Sequence, residues 1–333
     1  MLAPMVHVLF IMDTIKHQYM DEVLGFKVGY WKISGVSSMS APFKTVGIYS
    51  RVNNSDSAET LKALINFLKD LNQPFTLEEE TCREFNDTGL PTTHRDQLSR
   101  HCDLLIVVGG DGSMLHAAHI VIHDEIPVVG INRGKLGFLT DVNPSELHQI
   151  KAILEGKYFL EKRFLLEATA EFQGKVLGQG IALNEVALIP DSMPHMTEFE
   201  IFIDDQFVCS QDSDGMIIAT PTGSTAYALS GGGPILHPQL DALVMVPMFP
   251  HTLSIRPIVI EGNRKITLII TPNNTTTPRI TCDSQMFIQT PPGTKITVNK
   301  KAQALHLIHP VDYDYYKTIR SKLHWGRKLK YME

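Results

Sequence analysis

The residues best suited to chemistry are gathered in Gly109-Gly110-Asp111-Gly112-Ser113. Glycines let a ligand approach the backbone closely, and a strand-to-helix turn aims unpaired N–H groups and the positive helix end at whatever binds there. The segment therefore reads as a phosphate cradle. Asp111 is the one ionisable side chain in it. A carboxylate among phosphates repels them unless a cation bridges the two or it takes a proton from a nucleophile, which makes Asp111 the candidate catalytic residue. The plainer alternative, a tight turn with a helix-capping Asp, needs fewer glycines than the two before and one after.

A second loop runs from Thr220 to Pro234, with hydroxyls and glycine ahead of Ala226-Tyr227-Ala228-Leu229. The hydroxyls offer donors to ribose or phosphate, and Tyr227 offers a face to a base. Loops this long in compact domains are usually functional. Asn184-Glu185 suits a ribose diol, because an amide and an acid together donate and accept. Asp212-Ser213-Asp214-Gly215 precedes the second loop. His116, His119 and His123 share a stripe at i, i+3 and i+7, but without a carboxylate or Cys close in sequence they read as a solvated face rather than a metal site.

The elements that must position these groups follow from periodicity. Leu104 to Val108 is an apolar run expected as a buried parallel strand, and Met114 to Ile122 as the helix after the glycines. Thr45 to Tyr49, Phe75 to Leu77 and Val128 to Ile131 are further strands. Asp56-x-x-Glu59 opens a helix with Leu61, Leu64, Ile65 and Leu68 on one face. Such alternation implies a parallel sheet with ligands at the carboxyl ends of its strands, where Gly109–Ser113 and the loop Asn132–Phe138 both fall. After Leu147 the character turns to β. Phe164–Phe172 and Val176–Leu183 flank the hairpin signal Gln173-Gly174-Lys175, and Phe199, Ile201 and Ile203 alternate with polar residues. Met216–Ala219, Ile266–Ile270, Lys295–Val298 and Leu305–Ile308 are later strands. The expected fold is an α/β N-terminal domain with a parallel sheet plus an all-β C-terminal domain. Residues 1–38 are expected as an extension or an over-called start before Met39, residues 39–146 as the nucleotide-binding domain, 147–310 as the β-rich dinucleotide-binding domain and 311–333 as a C-terminal segment. The two halves are expected to share a cleft.

The whole chain of 333 residues has 43% hydrophobic residues and a net charge of −6, the profile of a soluble globular protein whose main partner is neither nucleic acid nor an anionic membrane. Cys82, Cys102, Cys209 and Cys282 form no Cys-x-x-Cys pair, so neither disulfides nor zinc are signalled, and a cytoplasmic location is expected. The apolar run Val8 to Met12 is bounded by His7 and closed by Asp13, and it lacks the flanks of a signal peptide. The apolar runs are too short to cross a bilayer.

In order and spacing, Gly-Gly-Asp-Gly at 109–112, Asn184-Glu185, Ser213-Asp214-Gly215, the loop Thr220 to Pro234 and His251-Thr252-Leu253-Ser254-Ile255-Arg256-Pro257 resemble the bacterial NAD kinases, from about Thr45 to the C-terminus. The resemblance implies transfer of the γ-phosphate of ATP to the 2′-hydroxyl of the adenosine ribose of NAD, giving NADP, with a divalent metal such as Mg²⁺ whose ligands stay open. The general base then falls on Asp111. The dinucleotide contacts fall on Asp111, Gly112, Phe138 near the adenine, Asn184, Glu185, His195, Asp214, the segment Thr225, Ala226, Tyr227, Ala228, Leu229 and Ser230, and Gln285. Asp212 is a further candidate. Enterobacterial relatives carry Arg at its place, where a cation would help bind phosphate and an anion would not. The family also implies homo-oligomers, dimers or tetramers. Diacylglycerol- or sphingosine-type lipid kinases carry Gly-Gly-Asp-Gly on a related scaffold, and an NAD(P)-binding sensor is the non-catalytic alternative. Against them stand the lack of a basic amphipathic helix for membrane docking, the dinucleotide character of the Tyr227 loop, and a carboxylate that a pure binder would not use. There is no Gly-x-x-x-x-Gly-Lys-Ser/Thr sequence, so backbone donors and metal must replace the usual P-loop lysine.

Overall fold

The computed structural model describes residues 43–51, 55–85, 89–133, 137–191 and 196–326; the expectations for residues 1–38 and for His195 lie outside the described residues. The first half alternates as expected: β1 Val46–Ser50, α1 Ser55–Asp70, β2 Phe75–Glu78, α2 Glu79–Phe85, β3 Thr92–Thr93, α3 Arg95–Leu98, β4 Leu104–Val108, α4 Asp111–Val121, β5 Val128–Ile131 and α5 His148–Leu154. The second half is β6 Phe159–Phe172, β7 Lys175–Ala182, β8 Glu185–Ile189, β9 Thr197–Ile203, β10 Gln206–Ser213, β11 Gly215–Ala219, α6 Tyr227–Ser230, β12 Ala242–Met248, β13 Ile258–Glu261, β14 Ile266–Ile270, β15 Arg279–Cys282, β16 Met286–Gln289, β17 Lys295–His309 and α7 Tyr315–Leu323.

β5, β4, β1, β2 and β3 lie side by side and parallel. Every residue of β1, β4 and β5 is buried, as strands covered on both faces must be. On one face the α1 residues Leu61, Leu64, Ile65 and Leu68 pack against Val46, Ile48, Leu104 and Ile106. On the other, Met114, Ala117, Ala118 and Val121 of α4 cover Leu105 and Val107. Each fully buried leucine or isoleucine contributes roughly 1.5–3 kcal/mol of transfer free energy, so the two helices fix the strand ends against each other.

The expectation of two strands at Lys295–Val298 and Leu305–Ile308 is corrected: they are one long strand, β17, with an irregularity between Lys300 and Ala304. The polar residues Asn299, Lys300, Lys301 and Gln303 break the alternation without breaking the strand. β17 pairs antiparallel with β6 and β14 and, at Leu307, parallel with Val128 of β5. The parallel sheet therefore continues without interruption into an 11-stranded sheet. A second, antiparallel sheet of six strands in the order β13-β12-β11-β8-β15-β16 lies against it. The core between the sheets holds Ala168 and Ala170 of β6, Val186 and Leu188 of β8, and Met216 and Ile218 of β11. Among the described residues no helix is long and apolar enough to cross a membrane.

Candidate active site

Asp111 is the first residue of α4, directly after the turn that ends β4, with Gly110 as an extended N-cap. Gly109 is required by packing, since a Cβ there would lie 2.3 Å from Ser113 Oγ. Gly112 is exposed, with nothing within 4 Å of where its Cβ would be, so the turn has open space in front of it. The Asp111 carboxylate is gripped from the neighbouring loop: Phe138 N–H donates to Oδ2 and Leu139 N–H to Oδ1, both at 3.0 Å. Each oxygen keeps further acceptor capacity. The grip fixes the carboxylate's orientation and leaves the group half-buried at the carboxyl edge of the sheet.

Two arginines flank the same edge. Arg133, after β5, donates to the carbonyl of Arg51 at 2.7 Å, and Arg51, after β1, donates to His116 Nε2 at 2.7 Å. Accepting from Arg51 makes His116 neutral, and burial together with the Arg51 and Arg95 charges holds its imidazole below the usual range. His119 and His123 line a concavity with Arg95, Arg100 and Asp124 on the outer side of α4. Among the described residues no three His, Cys, Asp or Glu gather as metal ligands.

The second cluster forms around the turn between β7 and β8. Asp283, with a positive φ of 50°, accepts N–H bonds from Leu183 at 2.7 Å, Asn184 at 2.8 Å and Glu185 at 3.1 Å. Burial nevertheless pushes its carboxyl up to about 6. Glu185, only 6% exposed, is pushed up to about 8 by burial and by the Asp283 charge, against a hydrogen bond from the Tyr227 N–H. Its Oε2 is buried without a partner. A buried carboxyl oxygen without a partner is uncommon in folded proteins. Tyr227 is 39% exposed, and burial with the nearby charges of Glu185 and Asp214 raises its phenol. The structure therefore brings Glu185, Asp214 and Tyr227 together beside Asp283. Asn184 is held by its carbonyl, which accepts from Thr220 N at 2.9 Å and lies so near Gly223 that a Cβ there would come within 2.1 Å.

The expectation that the loop hydroxyls offer donors to a ligand is corrected for several of them. Thr220 Oγ1 donates to Leu183 O, Ser224 Oγ to Pro221 O and Thr225 Oγ1 to Thr222 O, because a buried loop must satisfy its own carbonyls. What the segment turns outward is Tyr227 and Ser230, with Thr225, Ala226 and Leu229 half-buried and Ala228 buried. Gln285 sits half-buried in the β15–β16 turn, its N–H bonded to Cys282 O at 3.0 Å. Asp212 is exposed on β10, where its carbonyl accepts the N–H of His251. Sequence reasoning passed over Asp283, two residues before the chosen Gln285, and Arg51, whose signal was its place just beyond the carboxyl end of β1; Arg133 falls in the loop Asn132–Phe138 that was singled out, without a role of its own.

Known proteins agree with this architecture. The family model of the ATP-NAD kinase N-terminal domain matches residues 46–158, and that of the ATP-NAD kinase C-terminal domain matches residues 183–310. A protein named NAD kinase from Ectopseudomonas mendocina (strain ymp) is 52% identical over 288 residues, covering 86% of this chain and 98% of the relative. One of the same name from Coxiella burnetii (strain Dugway 5J108-111) is 51% identical over 286 residues, covering 86% and 96%. Lipid-kinase and binding-only alternatives find no support there. Among solved structures, yeast NADH kinase complexed with NADH superposes with a TM-score of 0.78 at 24% identity over 88% of this chain and 91% of that one. The NAD kinase from Archaeoglobus fulgidus in complex with ATP gives 0.62 at 24% identity over 83% and 99%. At these identities the two structures speak for the fold.

Proposed function

This chain belongs to the NAD kinase family and is an ATP-dependent NAD kinase; from that premise we propose that Asp111 takes the proton of the adenosine-ribose 2′-hydroxyl as the bond to the γ-phosphorus of ATP forms. The observation that carries this role is the double N–H grip on Asp111, which holds an acceptor in fixed orientation beside the N-terminus of α4. A sugar hydroxyl is a weak nucleophile at neutral pH, so a carboxylate within hydrogen-bond reach lowers the barrier at that step. The phosphoryl group leaves ADP and joins the 2′-oxygen, and the proton goes to Asp111. Positioning and charge neutralisation supply most of the rest. The N–H groups at the start of α4 and the guanidinium groups of Arg51 and Arg133 suit the phosphates.

Glu185 and Asn184, with Tyr227, Asp214, Gly112, Phe138, Gln285 and the segment Thr225–Ser230, form the proposed dinucleotide site. The unpartnered Oε2 of Glu185 supports it, since a neutral carboxyl can donate to one ribose hydroxyl and accept from another. His195 and Asp212 remain proposed contacts. We also propose Mg²⁺ as companion of ATP. Mg²⁺ keeps several waters and is held largely through substrate phosphates, which fits a cradle of N–H groups whose one carboxylate, Asp111, takes the proton. When bound, the ion supplies neutralisation of phosphoryl charge.

A homo-oligomer, dimer or tetramer, is supported by exposed apolar side chains on strands at sheet edges: Val176 and Leu177 on β7, Phe207 and Val208 on β10, Ile258 on β13 and Phe287 on β16. A cytoplasmic location is supported by free cysteines, of which Cys82, Cys102 and Cys282 are buried. A division into nucleotide-binding and dinucleotide-binding parts is supported by the separate matches of the two domain models.

The test of the base is Asp111→Asn. Turnover is expected to vanish while NAD binding stays within about tenfold, the pattern of a group acting in the transition state. Near-normal kinase activity would remove Asp111 from the role.

A further inference from the structure

A buried row of charges joins the loop that grips Asp111 to the glycine-rich loop after β11. His309, the last residue of β17, is wholly buried, with Nδ1 on Asp141 Oδ2 and Nε2 on Glu161 Oε2 at 3.1 Å. Arg163, two residues beyond Glu161 on β6, donates from Nε to Glu161 Oε2 at 2.7 Å and from Nη1 to Thr222 Oγ1 at 3.1 Å. Thr222 in turn accepts, at its carbonyl, the hydroxyl of Thr225 at 3.1 Å. At the other end, Asp141 follows Thr140, whose carbonyl accepts the N–H of Gly137 at 3.1 Å, and Phe138 and Leu139 between them hold Asp111. The path therefore runs from the candidate base, through Asp141, His309, Glu161 and Arg163, to the loop that leads into Tyr227.

With a carboxylate facing each ring nitrogen, both nitrogens of His309 carry hydrogen and the ring is cationic. His309 and Arg163 then balance Asp141 and Glu161, a neutral set that is buried but for the 9% exposure of Asp141. The Tyr313 ring stacks on His309 at 3.8 Å between centroids. Such a set is a poor device for stability alone, because apolar side chains of the same volume are often as good or better. What it supplies is direction: hydrogen bonds at fixed angles between two loops that are far apart in the chain.

We infer that Arg163 and His309 are positioning residues that set the glycine-rich loop in register with the loop gripping Asp111, so that the ribose hydroxyl of the bound dinucleotide meets the base. The inference rests on the roles given above to Asp111 and the Tyr227 loop. Both are buried, Arg163 at 3% and His309 at 0% exposure, so they act through the two loops they join. A displacement of about 1 Å between reacting groups can cost up to roughly a hundredfold in rate, so the effect falls on turnover rather than on affinity.

Thr222→Val tests it at the end of the row, where the charged set itself stays whole. The variant is expected to lose about tenfold in kcat per folded molecule, with KM for NAD within about threefold, and Thr222→Ser, which keeps the hydroxyl, is expected to restore kcat to within about twofold. A wild-type kcat in Thr222→Val, or a loss that Thr222→Ser leaves unrepaired, overturns the inference. Asp111→Asn separates the two levels. If it is active, the base assignment fails; if it is inactive and Thr222→Val is unaffected, only the positioning row fails.

Discussion

Gly137 stands so close to Asp111 that a Cβ at this position would fall 2.2 Å from Asp111 Oδ1 and 2.3 Å from Thr140 Oγ1. The absence of a side chain is thus what lets the loop wrap the carboxylate with two N–H groups. Gly137→Ala must push the loop or the carboxylate aside. We expect kcat to fall at least tenfold, with a stability loss of about 1–3 kcal/mol. Steady-state kinetics beside a denaturant melt check both figures.

Glu185 and Asp283 give the protein a pH dependence of defined sign. Their carboxyls rise from ordinary values of 4.5 and 3.8 to about 8 and about 6. In that window the folded protein binds more protons than the unfolded chain, so stability falls as pH rises from 3.8 through about 8. Glu185→Gln, neutral at every pH, is expected to flatten most of that slope and to be more stable than the parent at alkaline pH. Denaturant melts between pH 5 and 9 measure the difference. A slope unchanged by the substitution would show that Glu185 ionises freely in the folded protein.

His309 has the opposite origin. Burial pushes its imidazole down, but the charges and hydrogen bonds of Asp141 and Glu161 outweigh burial and hold it above its ordinary 6.5. The stabilisation is full below that value and is lost as pH climbs through the raised one. His309→Gln takes the cation from Asp141 and leaves Glu161 with Arg163 alone, a loss of about 3–5 kcal/mol when a buried pair is broken. The gap between parent and variant is expected to be widest near pH 6 and to shrink toward alkaline pH, by the same melts.

Gly223 meets the carbonyl of Asn184 where a Cβ would come within 2.1 Å. Backbone cannot rotate away as a side chain can, so Gly223→Ala must separate the glycine-rich loop from the Asn184-Glu185 turn. The expected result is a rise of at least tenfold in KM for NAD. KM for ATP is expected to change much less, since the phosphate cradle lies on the other loop.

How much of this could be read from the chain depends on how local each determinant is. The turn at Gly109–Ser113 and the strands Leu104–Val108 and Val128–Ile131 declare themselves within a few residues, because glycine and apolar β-branched runs have few other uses. β17 escaped, since Asn299 to Gln303 interrupt the alternation in the middle of a strand whose pairing with β6 continues past them. The hydroxyls between Thr220 and Thr225 looked like ligand donors, and only the folded loop reveals which carbonyls they serve. Asp283 and Arg163 act on partners about 100 and 59 positions away, and His309 on Asp141 across 168. No local pattern marks such pairs, because tertiary packing alone brings them together.

The most direct measurement is a crystal structure of the Asp111→Asn protein with NAD bound, read at one distance, from the side-chain oxygen of residue 111 to the 2′-oxygen of the adenosine ribose. Proton transfer requires about 2.6–3.2 Å, with the 2′-oxygen facing the α4 N-terminus. A 2′-oxygen well outside that reach, with another carboxylate beside it, would contradict the assignment.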